Sequence, residues 1–179
     1  MPEAGSSPGE LTDARRPFEP VAGEYLTFKL AGEVHGLEIL RVREIIRVMD
    51  VTRVPRAREH LRGVINLRGK VIPVVDLRLK LGMERGEGAD QAVIVVVQHA
   101  WRGREMSVGF LVDEVLEVRS IDAARIEAPP AVGDGTGTRL LHGVGKVEGH
   151  VIFLLDVGAI LSDDEEHDPA DALPATAAP

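Results

Sequence analysis

Histidine, serine and aspartate are the side chains of this sequence with the most chemical reach, and their spacing argues against catalysis. The six histidines stand at 35, 60, 99, 142, 150 and 167, with no His-Glu-x-x-His pair to grip zinc. None of the five serines, at 6, 7, 107, 120 and 162, sits in a Gly-x-Ser-x-Gly elbow. Cysteine is absent, which excludes disulfides, thiolate metal sites and thiol nucleophiles and fits a reducing compartment. Gly143-Val144-Gly145-Lys146 continues with Val147 where a phosphate loop needs a hydroxyl. The Gly133-Asp134-Gly135-Thr136-Gly137 run opens no helix whose terminus could hold a phosphate. Asp76 and Asp156 read as helix caps before they read as an acid and a base. The expectation is a protein that is not an enzyme, with no cofactor and no metal.

One turn stands out instead. Gly63 to Leu81 aligns without gaps on Gly143 to Leu161, 80 residues later, with seven of 19 positions identical. Both copies read as strand, turn, strand and capped short helix: either two related half-structures, or one kind of unit that converges on Gly, Val and Asp wherever it occurs. Their turns differ chemically: Asn66 and Arg68 in the first stand where Lys146 and Glu148 stand in the second. A turn that served the scaffold alone could carry any polar residue, so Asn66-Leu67-Arg68-Gly69 is the leading site candidate. Gly69 suits a turn position at positive φ.

The elements around that turn are short and mostly extended. Tyr25 to Leu30 alternates polar and apolar residues, the period of a half-buried strand, and Ala31-Gly32-Glu33 can turn it into a second strand from Val34 to Ile39. Val42, Ile45, Ile46 and Met49 recur at helical spacing, which predicts a helix there. Arg53-Val54-Pro55 leaves it extended. Pro73 within the second strand of the first repeat points to an edge or a bulge. Ala92 to Gln98 and Glu105 to Val112 form a hairpin around Gly103, Pro129 to Thr138 is a loop, and His150 to Leu155 is another buried strand. Many strands and few short helices indicate barrels or a sandwich.

The net charge of −8 belongs to the ends. Residues 163–179 carry six acids and no base, and residues 1–23 carry four acids and two bases. Both segments lack apolar periodicity and are expected to be disordered tails flanking a domain at 24–162. Within that neutral domain, residues 41–80 hold 11 bases against four acids, which reads either as a mixed solvated surface or as a cationic face suited to an acidic partner. A neutral domain in a chain with only six aromatics offers nucleic acid neither a phosphate-binding field nor stacking platforms. No apolar run approaches the ~20 residues that span a bilayer, and the N-terminus has no secretory pattern, so a cytoplasmic protein without membrane insertion is expected.

The run from Gly63 to Arg78, with Val42-Arg43-Glu44-Ile45-Ile46 and Arg53-Val54-Pro55 before it and Phe110 to Val115 after it, closely resembles the CheW family. These adaptors couple chemoreceptors to the histidine kinase CheA, and the similarity spans about Glu24 to Leu161. The resemblance implies a mainly β fold of two small five-stranded β-barrels packed on a shared core. It implies a surface for the cytoplasmic tip of a methyl-accepting chemoreceptor at Val42, Glu44, Gly63, Asn66, Leu67, Arg68 and Gly69, with Arg68 in the family's key arginine position. Val42 would supply apolar contact, and Arg68 would donate paired hydrogen bonds to a receptor carboxylate or carbonyl groups. A second partner would be the regulatory domain of a CheA-type kinase, and other CheW-like domains could pair with it too. Localisation would be cytoplasmic, at receptor arrays on the inner face of the membrane. The acidic tail and the Gly-rich loop depart from the family pattern and leave open a non-flagellar pathway. A small-molecule-binding β-barrel is the alternative from another functional class.

Overall fold

A computed structural model describes residues 18–86, 90–130 and 138–162. The expected C-terminal tail, the glycine run at 133–137 and residues 1–17 of the expected N-terminal tail lie outside the described residues.

Among the described residues, eleven strands are arranged in two sheets. Strands β1 (Gly23–Leu30) and β2 (Glu33–Glu38) are followed by a 3-10 turn and then β3 (Val42–Arg47). Next come β4 (Leu61–Leu67), β5 (Lys70–Asp76) and helix α1 (Leu77–Lys80), then β6 (Val93–Trp101), β7 (Arg104–Val112) and β8 (Glu114–Ile121). The two-residue β9 (Ile126–Glu127), β10 (Leu141–Val147), β11 (His150–Leu155) and helix α2 (Val157–Ser162) are the last of the described elements. The first sheet runs β8-β1-β2-β11-β10-β9 and the second β3-β6-β7-β5-β4. The mainly β, two-unit architecture is the expected one. Its ladders are less regular than two closed five-stranded barrels: β9 adds a sixth strand to the first sheet. In the second, Thr52 of the segment that follows β3 bridges to Val64 of the edge strand β4.

Four hairpins turn on two residues at positive φ: Ala31-Gly32, Arg68-Gly69, Arg102-Gly103 and Glu148-Gly149. That is the signature of type I′ turns, whose twist matches the strands they join. The repeat seen in sequence is a repeat in register. Leu61↔Val75, Gly63↔Val74 and Leu67↔Lys70 recur 80 residues on as Leu141↔Leu155, Gly143↔Leu154 and Val147↔His150. Even the bulge recurs, between Leu61 and Gly63 and between Leu141 and Gly143. Asp76 accepts from the backbone N–H of Arg78 and Leu79, and Asp156 accepts from that of Ala159, so both act as the caps expected.

Two local expectations are corrected. Residues 42–47 are a strand, β3, paired with β6 from Val42↔Val97 to Arg47↔Val93. An eight-residue helix is marginal alone, whereas β-branched Val42, Ile45 and Ile46 suit a ladder that β6 supplies from 50 residues away. Ile45 and Met49, expected on the buried stripe, are exposed. Pro73 lies on an interior strand, β5, paired with Val64 of β4 and one residue before the parallel ladder with β7 begins at Val74.

Hydrophobic burial occurs at three depths. The largest cluster lies between the sheets and takes Phe28, Leu30 and Leu37 from one and Val95, Val97, Val108 and Phe110 from the other. Each sheet also curls over a core of its own: Tyr25, Ile121, Ile152 and Leu154 in the first, and Ile65, Ile72, Val74 and Ile94 in the second. At roughly 1.5–3 kcal/mol for each large side chain buried, the shared cluster makes the two units one body. Asp113 adds a polar tie: it accepts from the Ala31 N–H in the β1–β2 turn and from the Arg78 guanidinium on α1.

Candidate functional site

The Asn66–Gly69 turn is built from its own side chains. Asn66 Oδ1 accepts from the Gly69 N–H at 2.9 Å, so the asparagine braces the turn it precedes. Arg68 occupies the first turn position at φ +53°, uncommon for a residue with a Cβ, and its side chain stands in solvent. There Glu44 meets it. Arg68 Nη1 and Nη2 each donate to a Glu44 carboxylate oxygen at 2.9 Å, a bidentate pair. The hydrogen bonds and charge of Glu44 push the Arg68 pKa further above its ordinary value.

This pair spans the two edges of the second sheet, since Glu44 is on β3 and Arg68 is at the end of β4. Val42, half-buried against the shared core, is two residues before Glu44 on the same strand. Gly63 is placed differently from the rest. It is buried at the β4 bulge, with φ +144°, and a Cβ there would lie 2.1 Å from the Thr52 carbonyl oxygen. Its part is to let segment 51–55 cross β4 closely, where Thr52 and Val64 exchange 2.9 Å backbone hydrogen bonds. Six of the seven candidates thus belong to β3 and the β4–β5 hairpin end, and Gly63 is set apart, buried at the β4 bulge against Val51 and Thr52.

Sequence reasoning missed the partnership of Glu44 with Arg68. Nothing local signals it, because the residues are 24 apart and belong to edge strands that do not pair with each other. It also missed Asp113 as the joint between the sheets.

His35, His99 and the cap Asp76 are each at least partly withdrawn from solvent. His35 is buried between the rings of Phe28 and Phe153, with centroids at 6.1 and 5.4 Å. Burial pulls its pKa down to about 4, opposed in part by the Glu33 carbonyl 3.4 Å from Nδ1. His99 is also held below its usual value, first by burial and then by Arg41. Asp76 is buried, capping α1 and lying 3.7 Å from Arg62. Among the described residues no group of three or more His, Asp or Glu side chains is arranged to hold a metal.

Two curled sheets over a shared core, with an ordered charged turn displayed on one of them, define a scaffold-type domain. Residues 24–165 match the family model of the CheW-like domain. The chain is 32% identical over 157 residues to the chemotaxis protein CheW of Klebsiella aerogenes, covering 88% of this chain and 92% of that protein. It is 35% identical over 153 residues to the chemotaxis protein CheW of Thermotoga maritima, covering 86% and 93%. Among solved structures it is similar to the scaffolding protein TtCheW from Thermoanaerobacter tengcongensis. That match has a TM-score of 0.70 and 33% identity, covering 79% of this chain and 89% of that one. The chain belongs to the CheW family. Its role is the one the sequence resemblance implied, a chemotaxis coupling adaptor.

Proposed function

We propose that this adaptor holds a chemoreceptor tip and a CheA-type kinase in fixed relation and carries the signal between them without chemistry of its own. The observation that carries this reading is the Glu44–Arg68 pair. Arg68 has five N–H donors and Glu44 takes two, so the outward guanidinium edge is free to donate to receptor carbonyl or carboxylate oxygens. The side chain is already held, so docking costs less rotamer entropy than it would for a loose arginine. Leu67 and Val42 are half-buried beside the pair and offer apolar contact, while Asn66 and Gly69 shape the turn.

The shared core supports the second half of the proposal. A body whose units are welded by apolar packing passes a displacement at one face to another, which is what biasing a partner's equilibrium requires. The kinase regulatory domain, itself CheW-like, would take a face away from the Arg68 turn. We place the adaptor at the inner face of the membrane through its receptor; no helix of the described residues is long and apolar enough to cross a bilayer.

The test is reconstitution of receptor, kinase and this protein, following kinase phosphorylation. Stimulation that needs the protein and disappears with Arg68→Glu supports the reading. Unchanged stimulation with Arg68→Glu removes the turn from the receptor surface, and consumption of a metabolite by the protein alone would overturn the adaptor mechanism.

A further inference from the structure

A groove of about 740 Å³ lies between segment 48–62 and strands β5, β6 and β7. Its floor is apolar. Five arginines line it, Arg53, Arg56, Arg58, Arg62 and Arg85, against two carboxylates, Asp50 and Glu59. Arg62 is partly engaged by Asp76, whereas Arg53, Arg56 and Arg85 are exposed. Arg56 is held at φ +60°. That conformation is uncommon for a residue with a Cβ.

The complement of that groove is in the same chain. Directly after α2, positions 163, 164, 165, 166, 168 and 171 are acidic, and no base interrupts them. We propose that the acidic segment 163–171 lies in the arginine groove of its own chain, so that any acidic partner must displace it to enter.

Three considerations support this occupant. Charge complementarity is direct: six acids in the segment stand against five arginines lining the groove. Position is the second consideration: the segment leaves α2 at Ser162, whose helix packs on the shared core. Leu161, in the last turn of α2, shares a core cluster with Leu81 and Met83, and Arg85 follows two residues later. Tethering supplies the rest. Exposed ion pairs are individually weak, but a covalent link presents the segment at an effective concentration of roughly millimolar. A composition too polar to build its own core does not prevent the segment from lying on a surface of opposite charge.

The absence of cysteine makes the experiment direct. Ala170→Cys in the full chain takes a single nitroxide, whose broadening of backbone amide signals reports which residues the segment approaches. At about 50 mM salt, amides of residues 53–58 should lose at least half their intensity relative to the reduced label, and recover near ~500 mM as screening rises. Recovery is also expected at low salt in Arg53→Glu/Arg56→Glu, with the rest of the spectrum unchanged. Arg85→Glu, on the other wall, gives the same reading if the double variant does not fold. No broadening at low salt, or broadening indifferent to charge reversal, overturns the proposal and leaves the groove to a foreign partner. Broadening confined to mixtures of labelled unenriched and unlabelled ¹⁵N-enriched protein overturns it too, in favour of a second copy.

Discussion

Glu44 and Arg68 face each other across the two edges of the second sheet and share two 2.9 Å hydrogen bonds. Their strands make no ladder with each other among the described residues; the nearest backbone link is from Thr52, past the end of β3, to Val64 of β4. The pair is surface-exposed on the arginine side, and such pairs contribute little to stability. Its consequence is orientation: Arg68 is aimed before any partner arrives.

Unequal effects of the two partners follow from that arrangement. Arg68→Ala removes the group that meets the receptor and should weaken receptor-tip binding by about tenfold or more. Glu44→Gln leaves the arginine in place but loosens it, so the loss should be smaller. Both variants should keep nearly the thermal midpoint of the parent. Calorimetric titration with a receptor-tip fragment checks the ranking, and a larger loss for Glu44→Gln would make Glu44 the contact.

Two glycines of the candidate site should respond very differently to alanine. At Gly69 a Cβ meets nothing within 4 Å, and only the φ of +84° is unfavourable. The cost there should be about 1 kcal/mol. At Gly63 the same atom would lie 2.1 Å from a backbone oxygen that cannot swing aside. Gly63→Ala should cost at least about 2–3 kcal/mol, because segment 51–55 must shift off β4. Urea denaturation of the two variants measures the difference; equal costs would mean the crossing is slack.

Acid should destabilise the first sheet through His35. Its folded-state pKa is depressed to about 4 from an ordinary 6.5, so the unfolded chain takes up a proton at higher pH than the folded one. Stability on this account is fully present above pH 6.5 and is lost as pH falls from there toward 4, by about 3 kcal/mol in all. Replacing the ring with an apolar one, His35→Phe, should flatten that part of the stability–pH curve. Denaturation midpoints at pH 7, 5.5 and 4 decide it: an unchanged slope would assign the acid sensitivity to other groups.

Much of the scaffold was legible in the residues because its determinants are local. Gly32, Gly69 and Gly103 marked hairpin turns, Asp76 and Asp156 marked helix starts, and alternation marked β1. Residues 42–49 misled for an equally local reason. Val42, Ile45, Ile46 and Met49 satisfy a helical period, and only the presence of β6 makes the extended form better. The Arg68 turn stood out through its chemical contrast with Lys146 and Glu148, whereas the burial of Gly63 beneath Thr52 had no signature in sequence.

By itself, the amino-acid sequence determined the positions of the turns and caps, the 80-residue repeat that became a repeat in register, and the family to which the chain belongs. These rest on glycine's access to positive φ, carboxylate capping and side-chain periodicity, all of which act within a few residues. The tertiary structure decided which strands share a sheet, that β3 is a strand at all, and that Glu44 holds Arg68. Each depends on groups distant in sequence meeting in space, and their energy exists only once the chain between them has been folded into place.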